Sequence, residues 1–183
     1  PTRRRPGDEK LIRPDRLALL VENDSFAPCD VLPWRGPLEH ARPLLERALR
    51  AVGRIEDGET GEHYGTGWLV LPNLVVTNRH VALEFATRKS DGTGAFRTLP
   101  GSARRRRIRI DFKEEAGGDA IVEFSVVRIP FIAADDEQSP DLALFELAPQ
   151  GTAQEEQPPP LPLFDGTPEP DQLVVALGYP AED

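Results

Sequence analysis

The 183-residue chain contains no methionine, a single cysteine (Cys29) and three histidines (His40, His63 and His80). A lone cysteine excludes an internal disulfide and any zinc site built on cysteine. It lies in "FAPCDVLP", between prolines and with no histidine close in sequence, and so reads as a passive thiol. One free thiol is compatible with a reducing cytoplasm. No window approaches the roughly 18 consecutive apolar residues of a membrane helix, so no membrane contact is expected. The opening "PTRRRPGDEKLIRP" lacks the apolar core of a secretory signal. Basic residues are too few to balance the acidic ones, 22 against 31, and the net charge is -9. A chain of that sign does not attract phosphates, which excludes nonspecific nucleic-acid binding by the chain as a whole. The local exception, "ARRRRIRI" at 103–110, reads as a solvated loop running into an edge strand. An RNA-binding barrel would use the same arginines and would show steeply salt-dependent affinity. The histidines share no metal-ligand spacing such as HExxH, so neither a metal nor a cofactor is expected.

Residues 1–36 are polar and interrupted by Pro6, Pro14, Pro28 and Pro33. They read as an extended leader with one short apolar run, "LALLV". From Pro37 to Val52, Leu38, Ala41, Leu44, Leu45, Ala48, Leu49 and Val52 recur at spacings of three and four. That is one apolar face of a helix, expected to lie on the domain that follows. Residues 53–147 read as β structure. The strands, the first reaching back into the end of the helix, are "VGRIE" (52–56), "HYGTGWLVLP" (63–72), "LVVTN" (74–78), "RIRIDF" (107–112), "AIVEFSVVRI" (120–129) and "LALFEL" (142–147). Turn signals separate them: Asp57-Gly58, Pro72-Asn73, Gly117-Gly118 and "ADDEQSP". Six short strands without alternating helices predict an all-β fold, a small antiparallel barrel or sandwich. The stretch 84–119 is long and basic, an expected cleavage-sensitive or regulatory loop. Residues 148–172 hold seven prolines and have linker composition. One further strand, "LVVALGY" (173–179), follows.

"GTGWLVLPNLVVTNRHVALEFA", residues 65–86, drives an apolar strand into a histidine. Asp141 stands directly before "LALFEL". A carboxylate on Nδ1 would hold His80 in one tautomer and leave Nε2 free to take a proton. Such a pair can turn a hydroxyl into a nucleophile near neutral pH and then protonate a leaving group. His40 falls on the polar side of the helix, and His63 in the loop before the glycine strand, within reach of a cleft there, though a surface position is expected.

The ordered motifs "GTGWLV…LVVTNRHVA" and "DLALFEL" resemble those of trypsin-like serine peptidases of the chymotrypsin fold. They look most like the bacterial glutamyl-endopeptidase and HtrA types. "LVVALGYP" is similar to the strand that opens the second barrel, with Gly178-Tyr179-Pro180 at its end. The resemblance covers roughly residues 50–183. It implies that 53–147 form the first six-stranded barrel of a two-barrel fold, preceded by a helix and followed by one strand of the second barrel. It also implies catalytic roles for His80 and Asp141, a protein or peptide substrate and no cofactor. Gly65 and Gly67 are expected to permit close backbone approach, and Thr77 and Asn78 to support the turn.

The resemblance further implies a serine in a Gly-Asn-Ser-Gly segment whose amides form an oxyanion hole. Ser25, Ser90, Ser102, Ser125 and Ser139 are the serines present, and none is bracketed by glycines. The expectation is therefore the N-terminal part of a serine endopeptidase, truncated before its nucleophile and inactive alone. Its missing C-terminal barrel would then be the partner that completes it. The alternative is a non-catalytic barrel that binds a protein partner.

Overall fold

The structure, a computed structural model, describes residues 12–13, 16–115, 120–151, 156–167 and 169–179. Gly117-Gly118, Pro180 and much of the leader lie outside the described residues. Two short hairpins come first, β1 (Ile12–Arg13) with β2 (Arg16–Leu17) and β3 (Val21–Glu22) with β4 (Ser25–Phe26). Helix α1 spans Arg35–Leu49. The strands β5 (Val52–Asp57), β6 (His63–Leu71) and β7 (Leu74–Thr77) follow, then helix α2 (Arg79–Phe85). The hairpin β8 (Ala86–Arg88) and β9 (Gly94–Phe96) leads on to β10 (Ile108–Asp111), β11 (Glu123–Ile132) and β12 (Ala143–Leu147).

Six of these strands close into an antiparallel barrel in the order β10-β5-β6-β7-β12-β11, with β10 and β11 pairing to complete the ring. They are the six expected from the sequence, with ends shifted by a few residues. Alternation explains the inside and outside of the wall. In β12, Ala143, Phe145 and Leu147 are buried while Leu144 and Glu146 between them are partly exposed. Phe85, Phe124, Phe145, Ile55, Leu69 and Ile110 are the large side chains at the centre. Phe85 meets Tyr64, Phe96 and Phe145 with ring centroids 5.2, 6.5 and 5.6 Å away. Full burial of a ring, as at Phe85 and Phe145, contributes about 1.5–3 kcal/mol. The β6–β7 turn is Pro72-Asn73, where Asn73 takes a φ of 61°, a left-handed conformation that asparagine tolerates.

Several expectations need correction. The helix begins at Arg35 and stops at Leu49, because Val52 and Gly53 already pair with β6. Its buried residue Leu38 packs with Phe26 and Cys29 in a cluster separate from the barrel core, and Leu44 is 72% exposed. The helix thus covers the segment before it. The stretch 84–119 is not a simple loop. It contains the end of α2, three strands and crosslinks such as Arg97 N–H to Phe85 C=O and Arg106 N–H to Arg97 C=O. The first part of "ARRRRIRI" is a solvated loop, as expected, with the Arg104 and Arg107 side chains exposed, but the strand it enters, β10, pairs on both sides and is not an edge. Arg104 pairs with Glu59, Arg106 with Asp57 and Tyr64, and Arg105 stacks over Phe96. Part of the proline-rich stretch docks on the barrel: Leu161 N–H bonds Leu69 C=O at 2.8 Å and Gln157 Oε1 accepts Asn73 N–H. Residues 173–179 form no strand with any described residue, and Leu173, Val174 and Val175 stay exposed. An apolar run needs a neighbouring strand before it can form a ladder.

Candidate active site

The end of β7 and the start of β12 are neighbours, with Thr77 opposite Ala143. That register brings the residue before β12, Asp141, beside the residues after β7. The chain leaves β7 at Asn78, whose extended φ and ψ of -75° and 147° make it the residue that begins α2. Seven residues are too few for an independent helix. α2 holds because Val81, Ala82 and Phe85 are buried against the barrel. His80 therefore sits in the first turn of a helix, where the sequence indicated only a turn.

Gly65 on β6 explains how the helix comes so close. A Cβ there would stand 2.6 Å from Val81 Cγ2. At Gly67 the same atom would meet Val75 Cγ1 at 2.7 Å and Ile55 Cδ1 at 3.0 Å. Side chains at either position would collide with the barrel wall or with α2. Thr77, fully buried, donates its hydroxyl to Thr66 C=O at 2.8 Å and ties β7 to β6 beside the helix start.

His80 Nδ1 lies 2.7 Å from Asp141 Oδ2, and His80 N–H donates to Asp141 Oδ1 at 3.0 Å. Both carboxylate oxygens are thereby directed at one residue. Asn78 Nδ2 adds longer contacts, 3.3 Å to Asp141 Oδ2 and 3.3 Å to Asp141 C=O. The pair faces solvent, with side chains 69% and 41% exposed for His80 and Asp141. Desolvation, the largest single influence on Asp141, raises its carboxyl pKa. The hydrogen bonds from the His80 ring and N–H, with the charges of His80 and Arg79, outweigh it and hold the group below the usual aspartate value. Nε2 of His80 has no hydrogen-bond partner among the described residues and is free to exchange a proton.

A cleft of about 540 Å³ opens beside His80. Tyr64, Gly65 and Thr66 of β6 line it, with Asn78, Arg54 and Tyr179. His63, expected on the surface, lies on this wall as well, its Nε2 3.2 Å from Gly65 C=O. His40 lies on α1, outside the cleft lining. Tyr179 is latched to β6: its N–H donates to Thr66 Oγ1 at 2.8 Å, and the same hydroxyl contacts Tyr179 C=O at 3.3 Å. Tyr64 is braced from behind by Arg106, 2.7 Å from its hydroxyl, and burial pushes its phenol up to about 12. None of the five serines lines the cleft. Among the described residues no group of three His, Cys, Asp or Glu side chains is placed to hold a metal ion.

A histidine held at Nδ1 by a carboxylate can take up a proton at Nε2 and return it, and here the pair stands at the paired ends of two barrel strands, β7 and β12. The sequence agrees: residues 65–183 match the trypsin-like peptidase domain, and the chain belongs to that family. No curated protein matches the chain. Asn78 and Arg79 were not singled out for the site from sequence. Their partners lie 55 to 63 residues away, and local spacing carries no signal of such contacts.

Proposed function

We propose that this chain supplies the general acid–base half of a serine endopeptidase, of the type found in glutamyl endopeptidases and HtrA proteins. The single observation that carries the reading is the 2.7 Å contact from His80 Nδ1 to Asp141 Oδ2, which leaves Nε2 open to the cleft. In the reaction, a serine hydroxyl gives its proton to His80 Nε2 as its oxygen attacks the scissile carbonyl carbon. The C–N bond then breaks, the imidazolium returns the proton to the departing amine, and an acyl-enzyme remains. Water repeats the sequence, giving the acid and restoring the serine. Asp141 keeps its charge throughout, holding the tautomer and stabilising the imidazolium. Its lowered pKa suits that role.

The nucleophile and the oxyanion donors come from residues other than the 183 described by this sequence. The support is that no serine here is glycine-bracketed and none reaches the cleft. The experiment is peptide hydrolysis by a protein carrying this chain together with its downstream coding sequence. Activity that drops by orders of magnitude in His80→Ala supports the reading. No hydrolysis of any peptide library, with tight binding of an intact protein instead, would replace it with the non-catalytic binding module.

A further inference from the structure

We propose that Arg79 is a positioning residue for the His80–Asp141 pair, stapling the start of α2 to the loop that carries Asp141. The purpose of the staple rests on the peptidase reading; its geometry does not. Arg79 directly precedes His80, yet it is absent from the cleft lining. Its guanidinium turns to the loop between β11 and β12, where Nη1 donates to Ala134 C=O and Nη2 meets Asp135 Oδ1 at 2.9 Å. The Arg79 side chain is only 18% exposed, whereas Asp135 is 85% exposed.

That loop is itself stiff. Its base is closed by Ala133 N–H to Leu142 C=O and Leu142 N–H to Pro140 C=O, both at 2.9 Å. Asp136 caps the turn by accepting N–H groups from Gln138 and Ser139 at 3.0 and 2.8 Å. α2 thus grips both ends of one preformed loop: Arg79 holds residues 134 and 135, while Asn78 and His80 hold residue 141. Without the first grip, Asp141 is still held by His80 N–H, Asn78 and the neighbouring β7–β12 ladder, but the contact to the His80 ring joins two solvent-facing side chains, and exposed ion pairs hold little by themselves. The planar fork of arginine can bridge a carbonyl and a carboxylate together. A lysine ammonium keeps the charge but loses that fixed two-point geometry.

The test is the tautomer of His80, read from long-range 1H–15N correlation spectra of the 183-residue chain at a pH where the imidazole is neutral. His80→Gln assigns the signals. The wild-type chain should show the Nδ1–H form. Arg79→Lys should lower the ratio of Nδ1–H to Nε2–H by at least about fivefold, the factor that loss of one ordinary hydrogen bond carries. Asp135→Ala, an exposed change that leaves the Ala134 contact, should shift the ratio the same way but less. If Arg79→Lys fails to fold, Asp135→Ala carries the test alone. Folded variants with the wild-type ratio would overturn the role of Arg79 and leave the peptidase reading intact. A wild-type chain dominated by Nε2–H would overturn both.

Discussion

Replacing Gly65 by alanine tests whether the approach of β6 to α2 sets the position of His80. The added methyl would lie 2.6 Å from Val81 Cγ2 and 3.2 Å from Cγ1, whereas ordinary contact begins at 3.4 Å. About 0.8 Å must be found at the closer atom. β6 is held in place here by β5, with Gly65 opposite Ile55, and two residues further on by β7, with Gly67 opposite Thr77. The seven-residue helix must move instead, and Val81 is the neighbour of His80. Overpacking of this kind costs about 1–3 kcal/mol. For a chain of this size that is a fall in Tm of roughly 2–12 °C, measurable by circular dichroism or calorimetry. In the proposed peptidase, displacement of His80 by about 1 Å would lower kcat on the order of 10²-fold. Val81→Ala removes both colliding methyls, so the double variant should recover part of the loss, with a coupling of about 0.5–3 kcal/mol. A Tm for Gly65→Ala equal to wild type, or strictly additive effects in the double variant, would refute the packing argument.

The purified 183-residue chain should not hydrolyse peptides, and turnover abolished by His80→Ala would contradict the assignment of the nucleophile to other residues. In the proposed peptidase, Asp141→Asn should reduce kcat by roughly 10⁴-fold by freeing the wrong tautomer, as steady-state kinetics would show. The Asp141 carboxylate, followed by 13C NMR, should titrate below the ordinary value of 3.8. Because its folded pKa is depressed, its contribution to stability is present above that ordinary value and is lost as pH falls through the lower folded one. A titration at or above 3.8 would contradict the contacts to His80. Phe145→Ala, at the centre of the core, should destabilise the fold by about 3–5 kcal/mol in a denaturant titration. A loss below about 1 kcal/mol would mean the barrel interior is not packed as described.

Local pattern made the barrel legible. The alternation in "RIRIDF" and "VEFSVVRI", the short apolar runs and the turn signals between them, such as Pro72-Asn73, are properties of neighbouring residues, and together they marked all six strands. Asp141 and His80 were legible because the motifs around them resemble a known family; their 2.7 Å separation needed the register between β7 and β12. Helix α2 was missed because "RHVALEF" is one short stretch whose three consecutive apolar residues, Val81-Ala82-Leu83, read equally as strand. Only the spacing of Val81, Ala82 and Phe85 hinted at a helical face. The hairpins before α1 have strands of two residues, too short to show a period. Leu44 fits the apolar stripe of α1 yet remains exposed, because the stripe is wider than the small cluster beneath it. The run 173–179 has strand composition but no described strand beside it, and composition does not reveal what a segment pairs with.

Covalent labelling, by a fluorophosphonate, of a protein carrying this chain together with its downstream coding sequence tests the central claim most directly, because it follows proton removal from a serine without needing a preferred substrate. The account predicts labelling of one serine outside these 183 residues, slowed by several orders of magnitude in His80→Ala and nearly as much in Asp141→Asn. Labelling at the wild-type rate in both variants would contradict it.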